Sequence, residues 1–295
     1  MVEAAATDSQ DASTEQQEQI KLVLSYLDKK ETRNQALDII LAYTTTKDNR
    51  ALFEDTDAIK LLLRLLPEAD ATLKVAQCLI NFSVDPFYQI VLVHLNVAGR
   101  IFDFLKENVK MDMKANVSTH VAYDDKEQVY EIRNKTKKAD AYEDIELCLM
   151  LLTNVSISEE GQKHLVGNLK TRGIILDNLF GMFCYFLKSN VFDFVANILS
   201  NVSALKEGRE VIIDRSDMLP KIVDMLRYEK VSAHRRTHLL ACLRNLAFEY
   251  EPQEQRFFDS KLINELAYIL ATEQGLTELP QEAAQFKANI TKAEF

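Results

Sequence analysis

Along most of this chain apolar residues recur at the i, i+3, i+4, i+7 spacing of one helix face, as in Ile59, Leu62, Leu63 and Leu66 and again in Leu239, Cys242, Leu243 and Leu246. Few stretches show the apolar and polar alternation that a half-buried strand needs. Breakers are scarce too, with 7 glycines and 5 prolines in 295 residues, which favours helices joined by short turns. The pattern predicts an all-α protein.

The helices are periodic. One phrase, Leu-x-Asn-apolar-small, occurs four times: Leu79-Ile80-Asn81-Phe82-Ser83, Leu152-Thr153-Asn154-Val155-Ser156, Leu199-Ser200-Asn201-Val202-Ser203 and Leu243-Arg244-Asn245-Leu246-Ala247. A degenerate copy, Ile40-Leu41-Ala42-Tyr43-Thr44, precedes them. Asn245 follows Asn201 by 44 residues, Asn201 follows Asn154 by 47, and Asn154 follows Asn81 by 73. Periods of about 40–47 residues belong to the HEAT and armadillo class. Seven residues after the anchor come Asn49, Gly161 and Gly208, and eight after it Arg50, Gln89, Gln162, Arg209 and Gln253, which predicts a repeating turn and then a helix start.

Each unit reads as a short, a middle and a long helix, the long one carrying the Asn. In the fourth unit these are Phe192 to Ala204 for the Asn helix, then Gly208 to Asp214 and Asp217 to Tyr228. A single unit cannot bury its own apolar faces, so neighbours must stack. The expected architecture is an armadillo/HEAT-like right-handed α-solenoid of about five repeats over residues 18–271. The long interval holds roughly 30 surplus residues, read as a loop insertion at 107–141; a complete but degenerate unit is the alternative. Residues 1–17 read as a disordered acidic tail, and 272–295 as a C-terminal tail or a truncated final repeat.

Charge and composition then exclude whole classes. The net charge of −10 disfavours nucleic acid as a partner. No apolar run approaches the roughly 18 residues of a membrane span and the start lacks a signal peptide, so a cytoplasmic monomer away from membranes is expected. Cys78, Cys148, Cys184 and Cys242 all lie in apolar helical stretches without a C-x-x-C pair, and read as core residues.

Candidate binding residues come from the repeat itself. Asn81, Asn154, Asn201 and Asn245 recur on every third helix, which in such a stack lines the concave face at spacings of about 10 Å. Their amides complement a peptide backbone and could hold an extended segment, or they could bond the neighbouring helix and tie the stack together. Arg235 and Arg236, with Arg244 further along the same helix, either clamp a partner's carboxylates or pair with the protein's own acids. His234 and His238 have the i, i+4 spacing of zinc-peptidase helices, but Arg235 stands where the general-base Glu belongs and no third ligand is evident. No metal site, cofactor or phosphate loop is expected, and no catalytic activity.

Transport receptors such as importin alpha carry a Trp four residues before the groove Asn; here those positions are Gln77, Met150, Asn197 and Ala241. The chain instead resembles the HGH-one homologue family in Cys78-Leu79-Ile80-Asn81-Phe82-Ser83-Val84-Asp85-Pro86, in Ile198 to Ser203 with Glu207-Gly208-Arg209, and in Ser232-Ala233-His234-Arg235-Arg236 leading to Leu243-Arg244-Asn245-Leu246-Ala247-Phe248-Glu249. It departs from that family at Thr237 and His238, where two glycines are usual, and at Leu276 to Pro280, where a longer proline-rich loop and a further helical pair are usual. The resemblance implies a chaperone adaptor that helps translation elongation factor 2 to fold, together with the cytosolic chaperonin. The competing expectations are a nucleotide-exchange regulator of heat-shock chaperones and a generic armadillo scaffold.

Overall fold

The structure is a computed structural model that describes residues 15–109, 143–185, 190–227 and 231–266. Among these residues the regular elements are helices and no β-strand occurs. The expected tails and insertion lie mostly outside them. Among the described residues the chain divides between Leu165 and Val166 into two compact units.

The first unit opens with α1 (residues 15–25) and a 3-10 turn at Tyr26–Asp28. It continues with α2 (Lys30–Tyr43), α3 (Lys47–Ala51), α4 (Ala58–Leu65), α5 (Thr72–Ser83), α6 (Pro86–His94), α7 (Val97–Asn108), α8 (Glu143–Val155) and α9 (Glu159–Val166). The long helices α2, α5 and α8 stack one on the next, with α4 and α7 packed behind α5 and α8. Their inward residues, among them Leu37, Ile40, Leu62, Val75, Leu79, Phe82, Ile101, Leu149 and Leu152, are buried as the helical spacing requires. Phe53 meets Phe82 edge to face, and Tyr88 packs on Phe82 at a tilt of 57°.

The second unit holds α10 (Ile174–Tyr185), α11 (Phe194–Val202), α12 (Lys206–Asp214), α13 (Met218–Arg227), α14 (Ala233–Leu246) and α15 (Tyr250–Asp259). Here α14 stacks on α11, with α10 behind α11 and α13 behind α14. Local signals set the helix starts. The Asp85 carboxylate caps α6 by accepting the Phe87 N–H at 3.0 Å with Pro86 at the first helical position, and the Ser232 hydroxyl caps α14 through the Arg235 N–H at 3.1 Å.

This is the all-α, solenoid-like fold that the periodicity predicts. Two details differ. Gly208, read as the start of its helix, lies inside the first turn of α12, which begins at Lys206, and Gly161 holds the same place in α9. Within the 73-residue interval the described residues form α6 and α7 and then α8, which packs directly on α5; α7 runs through Asn108, past the loop start expected at 107, and residues 110–142 lie outside the described set.

Candidate functional site

The repeated asparagines join consecutive layers. Asn81 Nδ2 donates to Thr44 Oγ1 at 3.1 Å, Asn154 Nδ2 to Ser83 Oγ at 2.9 Å, and Asn245 Nδ2 to Ser203 Oγ at 3.1 Å and to the Ser200 carbonyl at 3.3 Å. Thr44, Ser83 and Ser203 are fully buried and hold the last position of the five-residue phrase in the preceding layer. Each hydroxyl spends its own proton on the carbonyl three residues back: Leu41 at 3.0 Å, Ile80 at 2.7 Å and Ser200 at 2.8 Å. It therefore meets the next layer's amide with a lone pair. Asn201 holds the same register in α11 and is also engaged. At Asn81, Asn154 and Asn245 the amide bonds the preceding layer, as the tying alternative requires. Ala247 at the end of the last phrase carries no hydroxyl.

The register seven and eight residues past the anchor is the second half of this device. A Cβ on Gly161 or Gly208 would overlap the carbonyl oxygen of Val155 or Val202, so only glycine lets the following helix approach so closely. The next residue reaches back to the end of the Asn helix or the turn after it. Arg50 donates to the Thr44 carbonyl at 2.9 Å, Gln89 to Ser83 at 2.9 Å, Gln162 to Ile157 at 3.5 Å and Arg209 to Ser203 at 3.3 Å. Carbonyls that a helix terminus leaves without an intrahelical partner are satisfied this way.

The arginines separate into different roles. Arg235, expected among the partner-binding residues, is 1% exposed. Its Nε donates to Asp193 Oδ1 at 2.8 Å, and its guanidinium lies 4.3 Å from the centroid of the Phe183 ring, while Ser232 Oγ donates to the other Asp193 oxygen at 2.7 Å. A charge so enclosed is retained by its ion pair and hydrogen bonds and is out of a partner's reach, which corrects the expectation for this residue. Arg236 is half-buried and donates to the Val231 carbonyl at 2.9 Å. Arg244 is exposed.

His234 and His238 grip the Asn197 amide. Asn197 Oδ1 lies 2.6 Å from His234 Nε2, and Asn197 Nδ2 lies 3.0 Å from His238 Nε2. With its oxygen toward one ring and its nitrogen toward the other, the amide requires a protonated Nε2 on His234 and a lone pair on His238. Burial, reinforced by His234, lowers the His238 pKa. Among the described residues no group of three or more His, Cys, Asp or Glu is placed to hold a metal ion. Burial pushes the thiols of Cys78 and Cys242 up to about 12, far from a nucleophile's range. No helix among the described residues is long and apolar enough to cross a membrane.

Among the exposed large apolar side chains of the described residues are three that hold one register position in the repeat. Three residues past the anchor Asn come Val84, Ile157 and Phe248, exposed by 56%, 62% and 77%. They follow the tied helices, where burial would be expected of their residue types. These apolar residues directly follow the phrase in the sequence, but only the structure shows that they face outward.

The family profile described as Domain of unknown function (DUF383) matches residues 136–286, more than half of the chain. A curated relative, Protein HGH1 homolog of Danio rerio, is 29% identical over 135 residues, which are 45% of this chain and 35% of that protein. The matched part therefore spans about a third of the relative's length. A crystal structure of an engineered protein shares the fold with a TM-score of 0.64 at 15% identity, over 93% of this chain and 97% of that one. The tied layers, the double arginine with its following phrase and these matches together place the chain in the DUF383 family, that of the HGH1 homologues.

Proposed function

We propose that this chain is a protein-binding adaptor which assists folding of translation elongation factor 2 together with the cytosolic chaperonin, as a monomer in the cytoplasm and without chemistry of its own. The reading takes its client from the family resemblance. The observation that carries the binding role is the division of labour within the repeat. The recurrent asparagine amides bond the preceding layer, while Val84 and Ile157 in the first unit and Phe248 in the second stand exposed just past the tied helices. Exposed apolar side chains on a rigid scaffold are the usual mark of a protein-binding surface.

The test is a titration of purified elongation factor 2 into the labelled full chain. Saturable binding that weakens when Val84, Ile157 and Phe248 are together replaced by Ser is expected. Absence of saturable binding by a folded chain would remove elongation factor 2 as client.

A further inference from the structure

Helix α14 is divided along its length. Arg235, Leu239, Cys242, Leu243 and Leu246 face inward and are buried. Thr237, Leu240, Arg244 and, just past the helix end, Phe248 are exposed. Leu240 and Arg244 are one turn apart and share a face, with Leu240 39% exposed. The Thr237 hydroxyl donates to the Ala233 carbonyl at 2.9 Å and is spent within the helix.

Two acids of this unit are held within it, and Glu251, three residues past Phe248, is exposed. Glu249, beside Phe248, pairs with Arg209 at 2.8 Å, each of these side chains about 15% exposed. Asp193 is held by Arg235 and Ser232. The outward side of α14 therefore shows Arg244 one turn past the aliphatic Leu240, with the aromatic Phe248, whose ring lies 5.8 Å from the Arg209 guanidinium, four residues further on, in a chain of net charge −10. Arginine and large aromatic side chains are the types that dominate the energetics of protein interfaces.

We propose, resting on the adaptor reading above, that this stripe docks an acidic segment of a protein partner. The segment presents a carboxylate to Arg244 and seats apolar side chains on Leu240 and Phe248. A basic segment would place like charge against Arg244. An uncharged apolar segment would cover the guanidinium without a partner, which costs free energy. A carboxylate accepts the planar N–H fork of arginine in a bidentate pair, and apolar neighbours exclude the water that would weaken it.

The experiment uses the full chain and fluorescence anisotropy with three labelled probes: a short peptide of alternating leucine and glutamate, its counterpart with lysine for glutamate, and its counterpart with serine for leucine. The leucine-glutamate probe should bind saturably, less tightly as salt rises, and the other two should bind weakly. Arg244→Glu should weaken the glutamate probe by at least about tenfold and improve the lysine probe, and Phe248→Ser should weaken the glutamate probe, with unchanged melting in both variants. No saturable binding of the glutamate probe, equal binding of the glutamate and lysine probes, or indifference to Arg244→Glu in a folded chain would overturn the proposal. If elongation factor 2 fails to bind while the probes behave as expected, the client is wrong and the site stands. If elongation factor 2 binds Arg244→Glu undiminished, the site is wrong and the client stands.

Discussion

Removing one layer tie should destabilise the first unit by an amount that a double-mutant cycle isolates. Asn154 and Ser83 are 71 residues apart in sequence and meet at 2.9 Å, with the Ser83 hydroxyl fully buried and its proton already given to Ile80. Asn154→Ala deletes a hydrogen bond worth about 0.5–1.5 kcal/mol net. It also installs a better helix former, which returns roughly 0.5 kcal/mol and masks part of the loss. Ser83→Ala leaves the half-buried Asn154 amide to find water in place of its acceptor. Making both changes cancels these one-sided effects, so the coupling should be about 0.5–1.5 kcal/mol, equivalent to a few degrees of melting temperature. Urea unfolding of the four proteins followed by circular dichroism measures it. Additivity within about 0.3 kcal/mol would refute the tie, and loss of partner binding by a fully stable Asn154→Ala chain would return this asparagine to the ligand-binding role.

Further outcomes follow from other positions. Gly208→Ala should destabilise by about 2 kcal/mol or more because its Cβ overlaps the Val202 carbonyl, whereas Gly181→Ala, exposed in α10 with nothing within 4 Å, should stabilise by roughly 0.5–1 kcal/mol, both read from urea midpoints. Arg235→Ala should cost about 3–5 kcal/mol by leaving the buried Asp193 without its ion-pair partner, while Arg244→Ala should fall within about 0.5 kcal/mol of wild type. Burial lowers the pKa of His164, and burial with the neighbouring His234 lowers that of His238, so the unfolded chain binds more protons than the folded one as pH drops below about 6.5. The stability these neutral rings contribute is present above that pH and is lost as pH falls through their folded values. His238→Gln, which keeps an acceptor for Asn197, should flatten the slope in denaturation midpoints measured across this range.

The sequence carries the fold clearly because a repeat states its own rule several times. The i, i+3, i+4 apolar spacing fixes helices such as α4 and α14, and the recurring phrase fixes their register. Even the layer tie is written in the phrase, since the small residue that ends it in the layers from Thr44 to Ser203 is a hydroxyl. Its purpose is not visible there, because an amide that bonds a neighbour and one that bonds a ligand occupy the same position. Arg235 and Arg236 illustrate the same limit. Adjacent on a helix, they point about 100° apart, so one enters the core against Asp193 while the other stays half-buried near Val231. Only the positions of Asp193 and Phe183, some 40–50 residues earlier, decide which is which.

The most direct test of the account is affinity purification of the tagged full chain from lysate of its own source cell, with Arg244→Glu in parallel and both eluates quantified by mass spectrometry. The account predicts that elongation factor 2 and chaperonin subunits are enriched with the wild-type chain and that elongation factor 2 falls sharply with Arg244→Glu. Enrichment of neither by a folded wild-type chain would contradict it.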